Sequence, residues 1–175
     1  MEPAEALSTA AQLALALAGF AGVVVAFRSK SLHDWSALDK FRLWLLLGNA
    51  LVPLFACLFG MLLLTIKPTP LSIWRWTSGF SLLLGFASAF VSRRRLSELG
   101  PTAIKDMAAF RYVFYTIGVL GIATTGVLQV YNALISGVFW LFYTGVVFGL
   151  AVGALQFARM IFQPPHTSDV GEKCD

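Results

Sequence analysis

Four stretches without charged side chains divide the chain, and their lengths determine the fold that the sequence predicts. They cover 6–27, 43–66, 76–92 and 112–158. A helix rises about 1.5 Å per residue and the hydrocarbon core of a bilayer is about 30 Å thick, so one span needs about 20 apolar residues. The fourth stretch would extend roughly 70 Å as a single helix. We therefore expect it to turn back near Tyr131 and Asn132, just before Ser136 and Gly137.

This pattern predicts an all-α fold, a polytopic transmembrane helix bundle of about five spans. Composition agrees, because 58% of the residues are hydrophobic and 13% are charged, whereas about a quarter are charged in soluble domains. A soluble helical bundle would keep a polar face on each helix, and these stretches have none. We expect one transmembrane domain, 1–162, with a flexible cytoplasmic tail, 163–175, and spans at about 6–27, 43–66, 73–92, 110–131 and 135–160.

The positions of lysine and arginine predict the orientation of the bundle, since short loops rich in these residues stay on the cytoplasmic side. With the N-terminus outside and the C-terminus cytoplasmic, only Lys67 and Arg75 of the 13 basic residues lie outside. A cleaved signal peptide would begin with basic residues, but Glu2 and Glu5 precede the first stretch. The distribution is typical of a multi-pass protein of the bacterial inner-membrane type.

A run of three arginines follows the third stretch, and we expect it to contact anionic lipid headgroups of the bilayer. A nucleic-acid-binding protein would instead need a folded basic face that bears aromatic residues. Three arginines at a helix end do not predict such a face, so nucleic acid is not an expected partner. The arginines in question are Arg93, Arg94 and Arg95.

Two rows of small residues predict where the helices pack, because helices in a membrane associate through close contact at glycine and alanine. The first row has a spacing of four in the first span, and the second has the same spacing in the fifth. We interpret both rows as contact faces, either within one chain or between chains of a homo-oligomer. The predicted packing residues are Ala10, Ala14, Ala18 and Gly22 in the first row and Gly145, Gly149 and Gly153 in the second.

Pro53 lies inside the second span and predicts a kink there. Its ring removes the backbone donor that would bond to the carbonyl of Asn49, four residues earlier. The side-chain amide of Asn49 is expected to satisfy part of the freed region. A static kink is the structural interpretation, and a hinge or ligand site is the functional one.

Four amide side chains fall at two depths once the orientation is fixed. Gln12 and Gln129 lie near the outer ends of the first and fourth spans, and Asn49 and Gln156 lie near the inner ends of the second and fifth. An unpaired amide in hydrocarbon is unfavourable. We therefore predict that amides at the same depth pair across helices wherever their spans adjoin, at about 1 kcal/mol per pair.

The sequence predicts no catalytic, cofactor-binding or metal-binding residues. All nine acidic residues fall in the termini and inner loops, whereas ionisable groups inside a membrane usually mark proton or ion paths. His33, Asp34 and Asp39 form at best a sparse cluster of metal ligands in one loop. Cys57 and Cys174 imply no disulfide framework.

These observations favour a non-enzymatic membrane protein, acting as a structural, accessory or regulatory subunit through contacts between helices. Its expected partners are the lipid bilayer and either further copies of the chain or other membrane subunits. An oligomeric channel or facilitator for a small solute is the alternative, with the serine and threonine face of the third span and Asn49 lining the path. A membrane-embedded enzyme ranks third.

Overall fold

The computed structural model describes residues 2–27, 35, 37–66, 72–97 and 108–162, and this part of the chain consists of α-helices with no strand. Apolar stretches with few helix-breaking residues form these helices, as the sequence predicts. Pro3 stands in the first turn of the first helix, where its missing N–H leaves no bond unmade. The α-helices of the described residues are α1 (Pro3–Phe27), α2 (Ala37–Thr65), α3 (Ile73–Ser97), α4 (Ala108–Tyr131) and α5 (Phe139–Phe162).

The helices extend beyond several of the predicted spans. α2 begins at Ala37 instead of residue 43, and α3 continues to Ser97 instead of ending at residue 92. The predicted spans include only the apolar residues, but lysine, arginine and leucine also form helices well in water. The helices therefore continue past the apolar stretch at their basic ends. The predicted tail, 163–175, lies outside the described residues.

The turn between α4 and α5 is a short π-helix, Asn132–Ser136, followed by Gly137. Gly137 has a φ of 64°, a left-handed conformation that glycine adopts without steric cost. Its N–H donates to the carbonyl of Asn132 at 2.9 Å. The chain thus reverses where the sequence predicts, but α5 begins at Phe139 instead of residue 135.

α2 and α5 are the two central helices of the bundle, because α2 packs against α1, α3 and α5, and α5 packs against all four other helices. α4 packs against α5 and α3, while α1 lies against α2 and α5. The larger of two apolar cores joins three of these helices. The smaller core consists of Ala21, Trp35 and Leu46. The larger one consists of Leu7, Ala10 and Ala14 from α1, Ala56 and Cys57 from α2, and Phe142, Val146 and Leu150 from α5.

Large apolar side chains cover the outside of every helix, including Phe20 on α1, Phe55 on α2, Phe86 on α3, Val127 on α4 and Leu155 on α5. So many exposed large apolar side chains are unfavourable in water. Within the described part of the chain, three helical segments are long and apolar enough to cross a membrane, Pro3–Phe27, Asp39–Thr65 and Phe139–Ala158. The structure is therefore an all-helical bundle with helices suited to a bilayer.

Candidate functional site: polar and close contacts between the helices

The small residues of α1 form a contact face that differs from the predicted row. Ala10 and Ala14 are buried, but Ala18 is only half-buried and Gly22 is exposed, with open space where a side chain would begin. Each step of four residues turns a helix by about 400°, so a row with this spacing drifts by about 40° per step. The contact face follows the neighbouring helices and continues to Ala21 instead of Gly22.

The three predicted glycines of α5 all lie at helix contacts, two against α2 and one against α4. A Cβ atom on Gly149 would lie 2.9 Å from Cγ of Pro53, and one on Gly153 would lie 3.7 Å from the carbonyl oxygen of Asn49. A Cβ atom on Gly145 would overlap the amide of Gln129. The tightest contact with α2 is therefore at the ring of Pro53.

We expect Gly149→Ala to destabilise the protein by about 1–2 kcal/mol, because the proline ring is closed onto the backbone and can yield to the new methyl group only by changing its pucker. Gly153→Ala is the matched control in the same helix. Its Cβ would make only ordinary contacts, and alanine favours a helix over glycine by up to about 1 kcal/mol. Unfolding by a denaturing detergent, followed by circular dichroism, measures both. Equal stability of the two variants would contradict the assignment of a tight contact to Gly149.

The structure brings together the two amides predicted near the inner ends of their spans. Nδ2 of Asn49 donates to Oε1 of Gln156 at 3.0 Å, and also to the carbonyl of Leu45 at 3.0 Å. Each of the two amide hydrogens therefore has one acceptor. The hydrogen bond joins α2 to α5 one turn before Pro53.

The amide of Asn49 does not satisfy the carbonyl that Pro53 leaves without a backbone donor. That carbonyl belongs to Asn49 itself, and its oxygen faces α5 next to Gly153. The side-chain hydrogens bond instead to Leu45 and Gln156. The helical segment is continuous on both sides of Pro53, so the proline changes the bonding of α2 without ending it.

A double-mutant cycle on Asn49→Leu and Gln156→Leu should show a coupling free energy of about 0.6 kcal/mol, with about 1.7 kcal/mol as the upper limit for such bonds in membranes. The same unfolding assay measures all four proteins. A cycle on Asn49→Leu and Gln129→Leu is the control, because these two side chains bond to different partners and their effects should add. No coupling in the first cycle would mean that the bond contributes nothing to stability.

The two amides predicted near the outer ends do not meet. Nε2 of Gln129 donates instead to two backbone carbonyls of α5, those of Leu141 at 2.9 Å and Phe142 at 3.2 Å. Gln129 is 3% exposed, and its Oε1 has no hydrogen-bond donor among the described residues. Gln12 is exposed on α1. The pair does not form because α1 packs against α2 and α5, whereas α4 packs against α5 and α3.

The sequence singled out Asn132 only as a marker of the turn, but its side chain joins three parts of the structure. Asn132 is fully buried, and its Nδ2 donates to Oγ of Ser78 on α3 at 2.8 Å. Its Oδ1 accepts from the N–H of Val138 at 2.8 Å. Arg75 strengthens the same contact, because its Nη2 donates to the carbonyl of Ile135 at 2.6 Å. One signal was available, since Ser78 and Asn132 both lie near the ends that the sequence predicts to be the outer ends of two consecutive spans.

The basic end of α3 contacts the beginning of α2. The guanidinium of Arg95 lies 4.1 Å from the centre of the Trp44 ring, within the range of an attractive cation–π contact. Arg94 lies 4.7 Å from the ring centre of Phe90 on its own helix. Both arginines, and Arg93 before them, are exposed. Their positive charge is therefore available at one end of the bundle.

Among the buried polar side chains of the described residues, four carry amides or hydroxyls, which do not ionise, and one, Asp39, carries a carboxylate; the four are Thr77, Ser78, Gln129 and Asn132. Within the described helices, no group of three metal-ligating side chains occurs. His33 and Asp34, two members of the sparse cluster considered from the sequence, lie outside the described residues. Asp39 lies in α2, where its carboxylate is 3.6 Å from the guanidinium of Arg42.

The fold and these contacts define a class, an all-helical protein whose apolar helices are suited to a membrane and whose buried polar groups join the helices. No protein-family model matches the chain, and no curated protein or solved structure matches it.

Proposed function

We propose that the protein is a multi-pass protein of the bacterial inner-membrane type, in which all five helices cross the bilayer. The proposed orientation puts the N-terminus outside and the C-terminus in the cytoplasm, and the distribution of lysine and arginine supports it. The structure then indicates which groups would share a side of the membrane. In this orientation the turn at Gly137 lies on the outer side, and the exposed arginines of α3 lie on the inner side with Trp44, a residue type that favours the headgroup region.

The function that the geometry supports best is that of a non-enzymatic subunit, structural, accessory or regulatory, which acts through contacts between helices. One observation carries this proposal: the buried amides join neighbouring helices. Gln129 and Asn132 are nearly or fully buried, and each bonds to a neighbouring helix or to the turn. Asn49 and Gln156 bond to each other across α2 and α5. These amide groups therefore hold neighbouring helices together.

The inner face of such a subunit would contact anionic lipid. Arg93, Arg94 and Arg95 are exposed at the inner end of α3, and arginine forms paired hydrogen bonds with phosphate groups. Contact with a negatively charged leaflet contributes about 1 kcal/mol per basic residue. This contact would hold the inner end of the bundle at the headgroup level.

Purification in mild detergent followed by native mass spectrometry tests the proposed function. A stable complex with a membrane protein of different sequence supports a subunit, and so does an assembly of this chain that transports nothing. The purified protein is then placed in liposomes, and the flux of ions and small uncharged solutes is measured. Flux well above that of empty liposomes would overturn the proposal and establish the channel alternative. In the structure, the Ser88 hydroxyl packs against Gly48, which favours helix contact over a water-filled path.

A further inference from the structure

Gln12 lies on the side of α1 that faces away from the bundle. It is two residues from both Ala10 and Ala14, which are buried against the other helices, and at about 100° per residue this places it on the opposite face. Gln12 is exposed. It makes no hydrogen bond within the described part of the chain. The amide therefore points outward with both its donor and its acceptor unused.

The depth of Gln12 makes this exposure unfavourable in a bilayer. α1 contains 25 residues, which corresponds to roughly 38 Å, and Gln12 lies about 14 Å along the helix from Pro3. If α1 crosses the bilayer, the amide lies inside the hydrocarbon, where no water can replace its missing hydrogen bonds. A hydrogen-bonding partner from another helix removes this cost, and amides promote helix association in membranes for this reason.

The residues in line with Gln12 form a regular seam on the same outward face. Successive members are separated alternately by three and four residues, which is the repeat of helices that pair along their length. The members that follow Gln12 are small or β-branched, and nothing lies within 4 Å of a Cβ atom built on Gly19. Leu13 and Phe20, each more than half exposed, border the seam. Its members, all exposed, are Thr9, Gln12, Ala16, Gly19, Val23 and Ala26.

We propose that this seam binds α1 of a second copy of the chain, so that the protein forms a parallel dimer with Gln12 paired to Gln12. Two copies with the same orientation in the membrane are related by a two-fold axis, which brings each residue of the seam opposite its equivalent. The amide suits this position because it both donates and accepts. A single amide in such a seam also fixes the register of two helices. The inference rests on the proposed function, in which helix contacts are the activity.

Cysteine cross-linking in native membranes tests the pairing. Ala16→Cys is introduced into the full chain with Cys57→Ala and Cys174→Ala, and oxidation should produce a disulfide-linked dimer. Leu83→Cys in the same background is the control, because Leu83 is exposed near the middle of α3 and far from the seam. We expect several times more dimer from position 16 than from position 83. Equal yields would overturn the proposal.

The role of the amide is tested by Gln12→Leu and Gln12→Asn, measured by energy transfer between labelled chains in liposomes. Leucine should weaken association about tenfold, and asparagine should restore most of it, because it keeps both hydrogen-bonding groups. Gly19→Leu should also weaken association, since it fills the seam without touching the rest of the bundle. Unchanged association in both Gln12→Leu and Gly19→Leu would overturn the proposal.

The cross-linking and flux results also distinguish a failure of the dimer inference from a failure of the proposed function. If cysteine at position 16 cross-links to a membrane protein of different sequence, the seam binds another subunit, so the second-copy inference fails and the subunit function stands. If the protein is monomeric and conducts solutes in liposomes, both fail.

Discussion

Asn132→Leu is expected to lower the free energy of unfolding by about 2–4 kcal/mol, the largest effect of any single polar substitution in this bundle. Leucine has a similar volume but leaves the Ser78 hydroxyl and the Val138 N–H without the partners they have at 2.8 Å. Each buried group that loses its hydrogen bond costs about 1–3 kcal/mol. Unfolding of the purified protein in a denaturing detergent, followed by circular dichroism, measures the loss.

Ser78→Ala separates the hydrogen bond from general packing damage. Alone, it should destabilise the protein by about 1 kcal/mol, because the Asn132 amide keeps its bond to Val138. In the Asn132→Leu background, Ser78→Ala should lower the free energy of unfolding by less than it does alone, because it removes the hydroxyl that leucine left unpaired. A loss below about 1 kcal/mol for Asn132→Leu would contradict the structural role that we give to this side chain.

Gly145→Ala is expected to have an effect of similar size, about 2–4 kcal/mol, because the new methyl group would occupy the position of the Gln129 amide. Gln129 is almost fully buried, so its amide would lose the carbonyls of Leu141 and Phe142 and find no water in exchange. The same unfolding measurement applies. Gly153→Ala is again the matched control, since it is a glycine-to-alanine change in the same helix at an uncrowded position.

The side chain of Gln129 provides the decisive comparison for this prediction. In a Gln129→Ala background the amide over Gly145 is gone and the nearest remaining atom is Cγ2 of Thr125, 3.3 Å from the new Cβ atom. Gly145→Ala should then cost much less than it does with Gln129 in place, since alanine also favours the helix. If Gly145→Ala destabilises both backgrounds equally, the glycine is required for a reason other than the amide that lies over it.

The sequence predicted the helices because their cause is local. Apolar runs such as 43–66 and the polar pair at Tyr131 and Asn132 indicate helices and a turn without knowledge of any neighbour. The predicted depths of the amide side chains in the membrane also indicated one contact between residues far apart in the sequence. Asn49 and Gln156 meet because their helices adjoin and each places its amide toward the other.

The remaining contacts depend on how each helix is rotated about its axis, which the sequence does not state. A row with a spacing of four predicted Gly22 at a contact, but the face of α1 that packs within the chain turns away from Gly22 toward Ala21. The side chain of Gln129 bonds to a backbone carbonyl. Because every residue has a backbone carbonyl, the sequence could not indicate which residue would be the partner of Gln129. The role of Gln12 became visible only when the structure placed it outside the bundle.

The turn between α4 and α5 has a practical consequence for mapping the topology of the protein. Gly137 adopts a conformation that other residues avoid, and the carbonyl of Ile135 is bonded to Arg75. An epitope or reporter enzyme inserted between Ile135 and Val138 would release α3 from the hairpin and report on a disturbed protein. A single cysteine at the exposed position 140, introduced as Trp140→Cys together with Cys57→Ala and Cys174→Ala and probed with a membrane-impermeant thiol reagent, leaves the turn intact and gives the sidedness directly.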